Sequence, residues 1–132
     1  MFDWGAYHLL ARDLLSQADR SQQKEAVLRS AVSRAYYAAF HAAEDYLKGT
    51  KKYPSMQENS AITEGSHNRI INTFINDTDH PAWEKIGKKL KRLKLARTWA
   101  DYNPFGQEFI NTDEVAKKVR EAEEIIKLLN AL

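Results

Sequence analysis

The sequence predicts an all-α fold, and three observations carry the prediction. Apolar residues recur every three or four positions in five segments, with no strand-like alternation. Only three prolines and five glycines stand against abundant Ala, Leu, Lys, Glu and Arg, the strongest helix formers. The 132 residues, 43% of them hydrophobic, suit one domain that buries a single core without staples. The expected architecture is a single domain over 1–132, a compact helical bundle with no internal repeat.

The first helix is predicted over about 4–18, where Trp4, Tyr7, Leu10 or Ala11, Leu14 and Ala18 recur at helical spacing behind Asp3 as N-cap. The second, over about 21–48, is unusually apolar and aromatic. Tyr36, Phe40, Ala43 and Leu47 form one buried row, and Ala31, Ala35, Ala38, Ala42 and Tyr46 form another beside it. Two buried faces require neighbours on two sides, so this is the central helix. Its remaining arc carries Arg34, Tyr37, His41 and Glu44 at spacings of three, four and three, a line that is either a solvated face or one edge of a site. Gly49 stops it.

Residues 50–65 are polar, with Pro54 and Gly65, and read as a long mobile connection. A shorter third helix is predicted over 67–76, with Ile70, Ile71, Phe74 and Ile75 as its apolar side. A fourth starts with Pro81 in its first turn and runs to the break at Asn103-Pro104-Phe105-Gly106. The last begins at Asn111 or Thr112. Asn111 and Glu114 have the spacing of a capping box, and Val115, Val119, Ala122, Ile126 and Leu129 form its stripe.

The fourth helix holds the oddest placement. Trp83, Ile86, Leu90 and Leu93 mark its core face, and the next position on that stripe is Arg97, with Asp101 one turn further on. A charge on an apolar face needs a partner, because an unpaired buried charge costs several kcal/mol, of order 3–5. Arg97 either pairs with Asp101 at the end of the core or opens with Tyr102 into a cleft, where a fixed guanidinium holds a phosphate. Around the same helix, Lys85, Lys88, Lys89, Lys91, Arg92 and Lys94 crowd against one acid, Glu84. The formal charge of +2 therefore conceals a strongly positive region that is either solvated or attractive to RNA, DNA or a nucleotide.

Other classes are excluded by absence. There is no cysteine, which removes disulfides, thiolate catalysis and thiolate zinc sites. No apolar run is long enough to span a membrane, and the N-terminal residues lack the build of a signal peptide, so a cytoplasmic location is expected. His41 with Glu44 or Asp45 offers two metal donors at helical spacing but no third, and no metal or cofactor is expected. There is no Gly-rich phosphate loop and no nucleophile elbow.

Three segments together resemble the HEPN superfamily, in its prokaryotic branch. These are Ser33-Arg34-Ala35-Tyr36-Tyr37-Ala38-Ala39-Phe40-His41, the lone His67 opening the third helix, and Arg97-Thr98-Trp99-Ala100-Asp101-Tyr102. The likeness runs from about Leu9 to Ile126. It implies an up-and-down bundle of four to five helices, a homodimer, a role in toxin–antitoxin or other defence systems, and a small nucleotidyltransferase as partner. Many members are metal-independent RNases in which an Arg binds the scissile phosphate and a His four to six residues later moves the proton. Arg97 matches that Arg, but Tyr102 stands where the shortest spacing puts the His, and no His follows His80.

A phenol is a poor base near neutral pH, with a pKa of about 10. The expected function is therefore an RNA- or nucleotide-binding module without a complete nuclease motif. The alternatives are a metal-independent endoribonuclease using Arg97 with His41, His67 or Tyr102, and a dimeric protein–protein scaffold. The candidate catalytic residues are Arg97, Tyr102, His67 and His41. The candidate binding residues are Arg34, Tyr37, Asp101, Lys94 and Arg92. Both histidines also have a purely structural reading, as does the Tyr36–Tyr37 pair, which suits core or dimer packing. By the same resemblance, Tyr102 is a possible acceptor for nucleotide transfer.

Overall fold

A computed structural model describes residues 2–49, 64–77, 80–106, 108 and 110–132. Five α-helices make up the bundle: α1 (Gly5–Gln17), α2 (Lys24–Lys48), α3 (Glu64–Asn76), α4 (Pro81–Tyr102) and α5 (Thr112–Asn130), with a short 3-10 turn at Ala18–Arg20. No strand occurs among the described residues, and none of their helices is long and apolar enough to cross a membrane.

Local chemistry accounts for the helix ends. The N-cap of α1 is Trp4, not the expected Asp3, and it makes no side-chain cap bond; Asp3, one residue earlier, accepts from the Gly5 amide at 2.9 Å. Gly49 ends α2 in a right-handed conformation, φ −75°, with its amide donating to the Asp45 carbonyl. Asn111 caps α5 by accepting from the Glu114 amide at 2.9 Å, while the Glu114 side chain turns to Lys117 and leaves the capping box half made. Between α4 and α5, the Asn103 side chain accepts from the Phe105 amide, and Gly106 takes φ 77°, a conformation that glycine adopts without a Cβ penalty.

As predicted, α2 is the central helix. Thirteen of its 25 residues are buried, and it packs against α1, α4 and α5. Its small residues Ala31, Ala35, Ala39 and Ala43 are fully covered, which lets neighbouring helices approach closely. Tyr36, Phe40 and Leu47 fill the other face, each buried apolar side chain contributing about 1.5–3 kcal/mol. In α1 it is Ala11, not Leu10, that is buried; Leu10 is 42% exposed. In α5 the stripe runs through Ile125 where Ile126 was expected, because both neighbours are apolar and only packing chooses between them.

Helix α3 begins at Glu64, so two residues of the predicted connection belong to it; the rest of that connection, 50–63, lies outside the described residues. Phe74 of α3 packs against Trp83 of α4 with ring centroids 5.1 Å apart, and Tyr46 of α2 meets Trp83 edge-on. Gly87 makes this approach possible. A Cβ there would lie 2.6 Å from Ile75 Cγ1 and 2.9 Å from the Ile75 amide nitrogen. A side chain can move aside, but backbone in a packed helix cannot. Gly87→Ala is therefore expected to destabilise the bundle by about 1–2 kcal/mol, the overpacking cost outweighing the helix-propensity gain of about 1 kcal/mol. Urea unfolding checks this, and a stabilised variant would show that α3 yields freely.

Candidate functional site

The inner face of α4 carries Arg97 into the core, where it is 2% exposed. Its guanidinium carbon sits 5.5 Å from the Tyr36 ring centroid and 5.6 Å from that of Tyr37. Those π-faces are electronegative and suit a cation that cannot shed its charge. Nη1 also lies 3.7 Å from Asp101 Oδ2, a loose ion pair one turn along the helix. The same Asp101 oxygen accepts from the Ser33 hydroxyl at 3.2 Å, which ties α4 to α2.

Tyr36 then passes the contact to α3. Its hydroxyl and His67 Nδ1 are 2.7 Å apart, both buried, and the imidazole stacks on Phe40 at 4.1 Å with an 8° interplanar angle. With His67 neutral and protonated at Nε2, the hydroxyl donates; with the imidazolium, Nδ1 becomes the donor. Three helices thus converge on one polar cluster inside the bundle.

Farther along α2, His41 lies beside this cluster, its ring 5.4 Å from that of Phe40 and 6.1 Å from that of Tyr37. It stacks on Trp4 at 3.6 Å, and its Nδ1 lies 3.3 Å from Glu44 Oε1, with Lys48 Nζ 3.6 Å from the same oxygen. The hydrogen bond with His41 holds the Glu44 carboxyl below the usual glutamate range, opposed by burial and helped by Lys48. Arg34, on the same arc, stacks its guanidinium over Tyr7. Thus α1 and the residues before it cover the line predicted from spacing, which is not a solvated face.

The outer face of α4 is arranged differently. Lys85, Lys88, Lys89 and Arg92 share one surface depression, and Arg92, Leu95 and Trp99 line the next, a groove against α5. Leu95, Trp99 and Tyr102 border a third, toward Pro104. Spacings of three and four keep these residues on one stripe, basic over its first half and apolar-aromatic over its second. Arg92 joins the halves and makes no ion pair among the described residues. Leu95, Tyr102 and Phe105 are 64%, 74% and 76% exposed. Lys88 pairs with Glu84 at 2.7 Å and Lys89 with Glu124 of α5 at 2.8 Å.

The predicted residues therefore fall into four places. Arg97, His67 and Tyr37 meet in the inner cluster, with Asp101 at its exposed edge. His41 and Arg34 lie under the N-terminal aromatics. Arg92 and Tyr102 belong to the outer stripe, and Lys94 turns to α3, donating to Asn68 Oδ1 at 3.0 Å. The sequence reading missed Arg29 of α2, whose Nη1 donates to the Ala100 and Asn103 carbonyls at 2.9 and 2.6 Å and whose guanidinium covers Trp99. No local signal marks it, since those carbonyls lie more than 70 positions away. Leu95 and Trp99 were missed as well, and their spacing of three and seven residues from Arg92 was the signal that marks them. Among the described residues no group of three or more His, Asp or Glu side chains could share a metal ion.

Fold and site together define an all-α bundle with a buried arginine–tyrosine–histidine cluster and a basic-to-aromatic outer stripe. Comparison with known proteins finds no matching family model, no matching curated protein and no matching solved structure.

The Glu44 pair gives a pH test. A carboxyl held below its ordinary value stabilises the fold above the unfolded pKa, about 4.3, and that contribution fades as pH falls through it toward the folded value. Glu44→Gln is expected to cost about 1–3 kcal/mol at pH 7. In urea unfolding, the stability gap between the two proteins should narrow steadily as pH falls below about 4. A gap that does not change with pH would show that Glu44 acts through packing.

Proposed function

We propose that this chain is an RNA- or nucleotide-binding module that holds phosphates along the outer stripe of α4. One observation carries the reading: Lys85, Lys88, Lys89 and Arg92 lie side by side and run into Trp99 and Tyr102 on the same stripe. Cations that track a backbone beside aromatic faces for bases are the two parts of a single-strand binding surface. The burial of Arg97, His67 and Tyr36 favours a binding module over a nuclease, because a phosphate does not reach a guanidinium that is 2% exposed. The resemblance to HEPN domains adds a cytoplasmic homodimer, paired with a nucleotidyltransferase in a toxin–antitoxin or defence system.

Binding of this kind weakens steeply with salt, by a slope of about −0.7 per phosphate contacted on a single strand. Charge reversal in Lys85→Glu/Lys88→Glu is expected to weaken binding of a fluorescent RNA dodecamer at least tenfold at low salt. The slope should flatten by about 1.4, the share of two phosphates. Unchanged affinity and slope would remove the outer stripe from the interface and leave the scaffold reading.

A second reading, a metal-independent ribonuclease, is favoured by the meeting of Arg97 and His67 at Tyr36. It requires the cluster to open. Incubation with labelled RNA in excess chelator separates the two: the binding-module reading expects no cleavage, whereas products formed by the wild type and lost in Arg97→Ala would establish the nuclease.

A further inference from the structure

We infer that the groove between α4 and α5 binds one unpaired nucleobase bearing an exocyclic amino group, an inference that rests on the outer-stripe reading. The groove has a volume of about 470 Å³. That lies within the range of about 300–1,000 Å³ typical of small-ligand pockets. Leu95, Trp99 and Ile110 supply apolar walls, and Arg92, Lys118 and Glu114 are its charged members. A base needs this combination, because its faces are apolar and its edge is polar.

Arg92 belongs both to this groove and to the lysine-lined depression beside it, so a strand whose phosphates follow the lysines is led to the groove mouth. Trp99 is held in place by the Arg29 guanidinium, 5.2 Å from its ring centroid. An immobilised ring gives a stacking surface at low entropic cost. Glu114 sets the choice of base. One of its oxygens takes Lys117 Nζ at 3.2 Å, which leaves the other to accept a hydrogen bond. A carboxylate accepts from an exocyclic amine, as on cytosine N4, and repels the carbonyl oxygen that uracil carries at the same position. The same carboxylate disfavours an acidic peptide, the other ligand that the flanking cations would attract.

The test compares three fluorescent dodecamers of equal charge: oligocytidylate, oligouridylate and a strand with tetrahydrofuran spacers in place of bases. The wild type is expected to bind the cytidine strand about tenfold more tightly than the abasic one, the effect of one stacked base. It should bind the uridine strand about five- to tenfold more weakly than the cytidine strand. Ala96→Phe, which fills the groove, should bring all three affinities together at the abasic value. Leu95→Ala, at an exposed position, should move in the same direction should Ala96→Phe fail to fold by circular dichroism. Glu114→Gln should abolish the cytidine-over-uridine preference by raising the uridine strand from near the abasic affinity to that of the cytidine strand, both then above the abasic one.

Equal, salt-sensitive binding of all three strands by the wild type would overturn the base site and leave the basic stripe standing. Equal binding of the cytidine and uridine strands alone would overturn the role of Glu114. Absence of salt-sensitive binding to any strand would overturn the outer-stripe reading, and the base site with it. Sedimentation adds one more outcome: a dimer lost in Ala96→Phe and Leu95→Ala would assign the groove to a second copy of the chain and overturn the base site.

Discussion

The burial of Arg97 is the constraint on which the arrangement of α2, α3 and α4 depends. A guanidinium stays protonated under all ordinary conditions, so the core must supply compensation where it lies. The faces of Tyr36 and Tyr37 and the Asp101 carboxylate supply it, and each enlists another group. Asp101 accepts from Ser33, Tyr36 meets His67, and His67 lies flat on Phe40. Cation–π contacts of this kind are worth about 0.5–2 kcal/mol each, whereas leaving the buried Arg97 guanidinium without compensation costs about 3–5 kcal/mol. The cluster therefore resists rearrangement more strongly than it stabilises, and it fixes how three helices sit against one another.

That rigidity matters for the opposite face of α4. A surface that reads a flexible ligand gains from being held before the ligand arrives, because less order is lost on binding. Arg97 holds α4 from within, and Arg29 holds its last turn by bonding to the Ala100 and Asn103 carbonyls. These carbonyls belong to the helix end, whose acceptors have no partners within the helix. Here a side chain of α2 satisfies them and steadies Trp99 with the same guanidinium. One residue thus links helix capping to the geometry of the outer groove.

What the sequence made legible and what it did not follow the same division. Periodicity placed Trp83, Ile86, Leu90, Leu93 and Arg97 on one buried stripe, and the structure buries all five. It also placed Asp101 within reach of Arg97, since residues four apart share a helix face. Partners from distant segments were not legible. The contact of Tyr36 with His67 spans 31 positions, and nothing local to either residue announces it. Choices between adjacent apolar residues were lost for a related reason: Ile125 and Ile126 differ by about 100° on the helix, and only the neighbours decide which turns inward. For Gly87 the residue itself was visible, but its purpose depends on where Ile75 runs.

The separation of Arg97 from Tyr102 follows from helix geometry alone. Along a continuous α-helix the fifth residue onward is displaced by about 140°, and the fourth by only about 40°. Asp101 therefore shares the inner face with Arg97, while Tyr102 turns outward to 74% exposure beside Leu95 and Trp99. No side chain at position 102 would meet Arg97 within one intact chain, because α4 remains helical through Tyr102 and leaves the helix only at Asn103. An arginine and a partner five residues later act on one phosphate only where the last turn unwinds or where a second molecule brings its own copy of the pair. In the folded single chain the two residues serve different surfaces: Arg97 sets the position of the helix, and Tyr102 belongs to the face that the helix presents.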